Sequence, residues 1–279
     1  MKNSLPTVNA DEKNIQERIK VFALDMDGTV YLDENWIDGA REFLERIWES
    51  GRDYVFLTNN SSKDPQTYVA KLGRMGLFVD QDRIVTSGQA TIWYLKREYP
   101  GKKVFLLGND LLKHEFEEEG IELTEEGAEV AVLGFDTSVD YRKLCIMCDL
   151  VRSGLPYIAT HPDFNCPTAT GFIPDAGALA ELIHASAFRY PDRVIGKPNT
   201  DISDYLIDRL KKRLGREVER DEIAMVGDRL YTDIAAGVNA GLHTILVLSG
   251  EATLKDAEAS EVRPELIYDS VDGLLRAGG

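Results

Sequence analysis

Four apolar runs in this chain stop on side chains that can hold or move a charge. Val21-Phe22-Ala23-Leu24 ends on Asp25, with Asp27 two residues later and then Gly28-Thr29. Asp53-Tyr54-Val55-Phe56-Leu57 ends on Thr58, followed by Asn59-Asn60-Ser61-Ser62. Arg193-Val194-Ile195-Gly196 leads into Lys197-Pro198, and Glu222-Ile223-Ala224-Met225-Val226-Gly227 ends on Asp228, with Asp233 beyond it. Two acids spaced i, i+2 repel unless a cation or a shared proton intervenes, and an all-oxygen set of this kind suits Mg²⁺. An Asp-x-Asp-Gly stretch is also ordinary turn chemistry, so the other three strand ends must decide.

Together they suit phosphoryl transfer, which needs an in-line nucleophile, neutralised equatorial oxygens and a proton for the leaving oxygen. A carboxylate on Mg²⁺ can be the nucleophile, because the metal offsets its repulsion from phosphate; Asp25 is placed for that. Asp27, pointing to the opposite side, can protonate the leaving group and then activate water. Thr58 can donate to a phosphate oxygen, and Lys197 brings positive charge. Asp228 completes the metal shell, while Asp233 serves as a ligand through water or as a partner that orients Lys197 or the metal-bound water.

These residues need a scaffold that delivers strand ends to one edge. Short apolar runs that end in turn signals read as central parallel strands, and ligands in open α/β sheets sit beyond the carboxyl ends of such strands. Between the runs lie helical patterns: one capped by Asp38 through Phe43, Leu44, Ile47 and Trp48 to Gly51, and one from Asp64-Pro65 to Gly76. Another runs through Ile202, Tyr205, Leu206 and Leu210 to Gly215, and a last one has Asp233 near its start and ends at Gly241 before the strand His243 to Leu248. From about Ile84 the texture changes. Strands at Lys103–Gly108, Val130–Phe135 and Leu155–Thr160 alternate with helices that open at Thr86-Ser87 and run from Tyr141 to Val151, which reads as a separate small α/β unit. His161 to Pro167 and Gly171 to Gly177 read as shaped, Pro- and Gly-rich connections. The expected architecture is α/β: a Rossmann-like parallel-sheet core with helices on both faces over 1–83 and 191–279, and an inserted α/β cap over 84–190.

At 279 residues, 43% hydrophobic and 29% charged, the chain has the composition of a globular protein of one large or two ordinary domains. A net charge of -16 without a basic stripe argues against nucleic acid and anionic membranes as partners. Met1 to Asn14 is polar without an apolar signal core, and no run reaches membrane-spanning length, so a cytoplasmic address is expected. Cys145, Cys148 and Cys166 are too few and odd in number for a disulfide framework. Leu144, Cys145, Cys148 and Val151 make one apolar helical stripe, so the Cys-x-x-Cys spacing reads as core packing.

Asp25-Met26-Asp27-Gly28-Thr29, Thr58 after its strand, Lys197 in Gly-Lys-Pro and Gly227-Asp228-Arg229-Leu230-Tyr231-Thr232-Asp233 resemble the four signatures of the haloacid dehalogenase-like hydrolases. The extra segment between the second and third signatures, with Thr58-Asn59-Asn60-Ser61 and Pro174-Asp175-Ala176-Gly177-Ala178, resembles the p-nitrophenyl phosphatase or NagD-type subgroup with a large α/β cap. The resemblance implies that Asp25 forms an aspartyl phosphate and that Asp27 is the general acid/base. It implies Mg²⁺ held by the Asp25 side chain, the Asp27 main-chain carbonyl and Asp228, and contacts from Asn59 and Asn60 to phosphate or substrate. An acid at Asp27 points to phosphate-ester hydrolysis. Members of the family often carry Asn at the position of His161 and Gly at that of Asp175; His161 could contact a substrate carboxylate or hydroxyl, or be a loop histidine in solvent. The expected partner is a small phosphorylated metabolite, and exposed apolar strands in the cap could support a homodimer. A phosphotransferase to a small acceptor and a regulatory binding protein that keeps the fold are the alternatives.

Overall fold

The computed structural model describes residues 10–168 and 170–277, so residues 1–9 of the polar N-terminal stretch lie outside the described residues. The chain divides into two compact units, one of residues 1–56 and 216–279 and one of residues 57–215. In chain order the first unit holds α1 (Ala10–Arg18), β1 (Val21–Leu24), a small hairpin of β2 (Tyr31–Leu32) and β3 (Asn35–Trp36), α2 (Ala40–Glu49) and most of β4 (Asp53–Thr58). The second unit carries α3 (Pro65–Arg74), β5 (Ile84–Thr86), α4 (Ser87–Glu98), β6 (Val104–Leu107), α5 (Asp110–Glu118), β7 (Val130–Leu133) and α6 (Tyr141–Arg152). It continues with β8 (Tyr157–Ala159), β9 (Asn165–Thr168), β10 (Gly171–Pro174), α7 (Ala176–Ala187), β11 (Arg193–Val194) and α8 (Thr200–Leu214). The first unit then resumes with β12 (Ile223–Gly227), α9 (Ala235–Ala240), β13 (His243–Val247), α10 (Leu254–Ala259), β14 (Leu266–Tyr268) and α11 (Val271–Ala277).

Within the first unit the strands lie in the order β14-β13-β12-β1-β4, and every pairing is parallel. All residues of β1 and β12 are buried, which is why both read as unbroken apolar runs rather than as alternation. Full burial of each Val, Leu, Ile or Phe contributes about 1.5–3 kcal/mol. In the second unit β11-β8-β7-β6 form a parallel sheet. Phe105, Leu133, Tyr157, Met147, Val151 and Ile183 join that sheet to α6 and α7 in one apolar cluster.

Several local expectations change. Asp38 does not cap α2: Gly39 does, with φ 78° and no side-chain cap bond. Its left-handed backbone favours glycine, and a Cβ there would come within 2.4 Å of Asp272. Trp48 is 66% exposed, so the buried face of α2 is Ala40, Phe43, Leu44 and Ile47. Asp64, by contrast, caps α3 as expected, accepting from the Thr67 amide with Pro65 in the first turn. Of the expected stripe on α6, Cys148 and Val151 are buried and Leu144 packs against the same cluster, while Cys145 is exposed and Met147 takes its place in the core. Residues 165–174 pair as the antiparallel hairpin β9–β10 rather than as plain connections. Their alternation is hidden because all but Cys166 of the two strands are exposed. The short elements α1, β2, β3, β5, α10, β14 and α11 carry too little periodicity to be read locally. Among the described residues no helix is long and apolar enough to cross a membrane.

Helices α3, α4, α5 and α8 of the second unit line a cavity of about 640 Å³ whose walls include Asp64, Trp93, Glu115, Tyr205 and Arg209. Burial first, then the charges of Asp64 and Glu119, push the Glu115 carboxyl up to about 8. As pH rises from about 4.5 to about 8 the unfolded chain ionises this group while the folded chain resists, so its contribution to stability is present below that window and lost across it. Glu115→Gln should therefore flatten the fall in melting temperature between pH 5 and pH 8.5 by a few degrees. Identical pH slopes for the two proteins would show that Glu115 ionises normally.

Candidate active site

In the first unit β1 and β12 run side by side with Leu24 opposite Val226, and the Asp25 amide donates to the Val226 carbonyl at 2.9 Å. The two strands therefore end at the same edge and release Asp25 and Asp228 there. Asp233 arrives on a π-helical turn, Leu230–Ile234, rather than in the first turn of an α-helix. Its amide donates to the Arg229 carbonyl, and its Oδ2 accepts from the Arg229 amide at 3.1 Å. A Cβ on Gly227 would lie 2.3 Å from the Asp233 Cβ, so only glycine lets the turn fold back this closely. Asp27 is half-buried and forms a lone parallel bridge with Tyr31.

Asp25, Asp228 and Asp233 are all buried, and one carboxylate oxygen from each lies within 4.8 Å of the others. Three acids in a dry place repel. Burial first, then the charges of Asp25 and Asp233, raise the Asp228 carboxyl above its ordinary range. Burial works to lower the Arg229 guanidinium, but Asp25, Asp228 and Asp233 together carry it well above its usual value; Arg229 also pairs with Glu251 at 3.1 Å. One Asp228 oxygen, Oδ2, accepts from the Glu251 amide at 2.8 Å. The other, Oδ1, is buried without a hydrogen-bond partner. Cβ atoms on Gly28 and Gly250 would come within 2.5 Å and 2.0 Å of Oδ2, so glycines clear the space around this carboxylate. A buried oxygen left unsatisfied costs about 1–3 kcal/mol. Clustered hard oxygens with one of them orphaned fit a divalent cation, which would satisfy Oδ1 and offset the repulsion.

In the second unit Thr58 closes β4, and its Oγ1 accepts from the Asn60 amide at 3.1 Å. Asn59 is buried and clamps Lys197 at both backbone groups. Its Oδ1 accepts from the Lys197 amide at 2.8 Å, and its Nδ2 donates to the Lys197 carbonyl at 2.9 Å. Lys197, 2% exposed, directs its Nζ to the Leu57 carbonyl at 3.1 Å. Asn60 Oδ1 accepts from both the amide and the hydroxyl of Ser62, and its Nδ2 faces Cys166 Sγ at 3.8 Å. His161 is neither solvent-facing nor loosely held: it is 0% exposed, with Nε2 against Asp175 Oδ1 at 2.8 Å and Nδ1 against Thr160 Oγ1 at 2.9 Å. His161, Asp163 and Asp175 also approach one another closely enough to suggest a metal. None of their atoms is among the buried polar atoms left without a partner, so hydrogen bonds already satisfy this cluster.

The structure thus gathers Asp25, Asp228 and Asp233 in one unit, and Thr58, Asn59, Lys197 and His161 in the other, with Asp27 and Asn60 each two residues or fewer from a member of its group. Sequence reasoning left out Arg229, Glu251, Asp163 and Ser87. Arg229 had a signal, since a cation directly after a strand-end acid is a natural counter-charge. The other three are brought in only by contacts distant in sequence.

A family model described as haloacid dehalogenase-like hydrolase matches residues 22–122, and a HAD-hydrolase-like model matches residues 194–274. An acid sugar phosphatase of Staphylococcus epidermidis is 35% identical over 254 residues, which is 91% of this chain and 95% of that protein. Among solved structures, a 4-nitrophenylphosphatase from Thermotoga maritima superposes with a TM-score of 0.89 at 43% identity, covering 95% of this chain and 99% of that one. NagD from Escherichia coli K-12 superposes with a TM-score of 0.83 at 34% identity, covering 91% and 97%.

Proposed function

We propose that this chain, which belongs to the haloacid dehalogenase-like hydrolases and is a phosphatase of small phosphate monoesters, depends on Mg²⁺ and works through an aspartyl phosphate on Asp25. The observation that carries the metal is the buried cluster of Asp25, Asp228 and Asp233 with its orphaned Asp228 Oδ1. Asp25, Asp228 and the Asp27 main-chain carbonyl would hold the ion, with Asp233 beside it directly or through water. Bound there, Mg²⁺ would neutralise the charge that otherwise keeps a carboxylate and a phosphate apart.

In this reading an Asp25 oxygen attacks phosphorus and the ester P–O bond breaks, with Asp27 giving its proton to the departing oxygen. Asp27 then takes a proton from water, which attacks the aspartyl phosphate and frees inorganic phosphate and Asp25. Thr58 donates to a phosphate oxygen, and the Lys197 ammonium neutralises another. Asn60 belongs to the same phosphate-contacting stretch. Residues 1–83 and 191–279 carry this chemistry and the cap of residues 84–190 selects the substrate, for which a sugar phosphate is supported by the acid sugar phosphatase relatives. Exposed Phe172 and Ile173 on the cap hairpin support a homodimer through the cap. A cytoplasmic address suits an enzyme of phosphorylated metabolites.

The test is hydrolysis of p-nitrophenyl phosphate by wild type and Asp27→Asn. Wild type should release p-nitrophenol, and the variant should be slower by about two to four orders of magnitude, the usual contribution of a positioned acid/base. A variant as fast as wild type removes Asp27 from proton transfer. An inert wild type across a panel of phosphate monoesters removes the phosphatase reading.

A further inference from the structure

The polar network of the second unit converges on one buried ring, His161. Its Nε2 faces the Asp175 carboxylate at 2.8 Å, so that nitrogen carries a proton. Its Nδ1 faces Thr160 Oγ1 at 2.9 Å and Ser87 Oγ at 3.3 Å. The Ser87 proton is already used, because that hydroxyl donates to the Asn59 carbonyl; toward His161 it can only accept. The Thr160 hydroxyl, which also meets Ser61 Oγ at 3.0 Å, can donate to Nδ1 or accept from it; when it accepts, the ring is protonated at both nitrogens and Asp175 balances its charge.

Asn59 is then held from two sides. Ser87 grips its carbonyl, and its Nδ2 donates to both Asp163 oxygens at 3.2 Å from the loop that His161 opens. The same side-chain amide clamps the Lys197 backbone through its N–H and C=O. Packing leaves no slack: a Cβ on Gly196 would come within 2.6 Å of Asn59 Oδ1 and 2.7 Å of the His161 Cβ. Asp175 is anchored in turn as the cap of α7, accepting from the Ala176 amide at 2.6 Å.

We infer that the buried His161–Asp175 pair is a positioning device for Lys197, transmitted through Ser87, Asp163 and Asn59. The inference rests on the reading of Lys197 as the phosphate-binding ammonium. It gives His161 a role at a distance from substrate, in keeping with its complete burial.

The charged groups that face His161 are Asp175, Asp163 and Lys197. Burial lowers the imidazole, but the charge and hydrogen bond of Asp175, then the charge of Asp163, outweigh it against the opposing Lys197, and the net shift is upward from 6.5. A raised folded value means the pair is intact at low pH and is lost as pH climbs through that value. Lys197 should therefore be held more firmly toward acid pH and loosen as pH rises through that raised value.

The experiment compares wild type, His161→Gln and Asp175→Asn, with melting temperature as the check that each variant is folded. Hydrogen exchange at the Lys197 amide is read first, because it needs no turnover. It should quicken by about tenfold or more in His161→Gln, with a smaller change in Asp175→Asn, which keeps the α7 cap. Kinetics with p-nitrophenyl phosphate should show kcat/KM down by about 10–100-fold in His161→Gln, with the alkaline fall of the wild-type profile gone. In a Lys197→Ala background the same substitution should cost less than about threefold more, since both act through one ammonium. Unchanged exchange at Lys197 in folded variants overturns the inference, as does a full multiplicative loss in the double variant. Wild type inert toward phosphate monoesters would instead sink the phosphatase reading, and the exchange measurement would still decide the role of His161.

Discussion

Asp25→Asn is expected to leave a folded protein whose turnover of any phosphate monoester falls by on the order of 10⁵ or more. An amide oxygen is too weak a nucleophile to displace an alkoxide from phosphorus, and no other residue in this reading can form the covalent intermediate. The substitution is nearly isosteric, so the β1 packing that ends at Leu24 should survive. It also removes one of three buried carboxylates that repel one another, a repulsion visible in the upward shift of Asp228. In the absence of metal the variant should melt at or above the wild-type temperature. Wild-type-like turnover in Asp25→Asn would refute the nucleophile assignment, and a large drop in melting temperature would mean that Asp25 is chiefly a structural residue.

Chelation is the second large effect. Treating the protein with EDTA should abolish hydrolysis of p-nitrophenyl phosphate, and added Mg²⁺ should restore it. At a metal concentration about a hundredfold above its dissociation constant the folded state gains about 2.7 kcal/mol. For a chain of 279 residues that amounts to a rise of about 5 °C in melting temperature. Asp228→Asn should lose most of that rise, because its buried Oδ1 is left without a hydrogen-bond partner and is the oxygen the ion would satisfy. The melting readout separates metal binding from chemistry, since it does not depend on the proton-carrying side chain of Asp27 or on the Lys197 ammonium. Full turnover in exhaustively chelated protein would rule out metal dependence, and an unchanged Mg²⁺-induced rise in Asp228→Asn would move the ion elsewhere.

Both expectations grow from residues that were legible before any fold was known. Asp25 and Asp228 could be found because a fully buried parallel strand writes itself as an unbroken apolar run, and a charge that follows such a run marks its end. Asp64-Pro65 gave the start of α3 for an equally local reason, a capping carboxylate beside a residue preset for the first turn. Asp38 misled because its neighbour Gly39 meets a backbone requirement, φ 78° against the side chain of Asp272, that no local pattern announces. Cys145 misled because one helical stripe admits two phases, and packing against the sheet chose Met147.

What the sequence determined by itself was the order of the strands' polar endings and hence the class of chemistry, since strand ends and caps depend on neighbours along the chain. Tertiary structure decided the partners. Asn59 meets Lys197 across 138 residues, and His161 meets Asp175 across 14. Arg229 comes to balance three acids, one oxygen of Asp228 is left without a hydrogen bond, and a histidine that looks like a loop residue is sealed in the interior. Hydrophobic periodicity says which face of an element is buried but not which polar group it will face. That choice is made only when the elements pack, because each buried donor or acceptor must then find a partner.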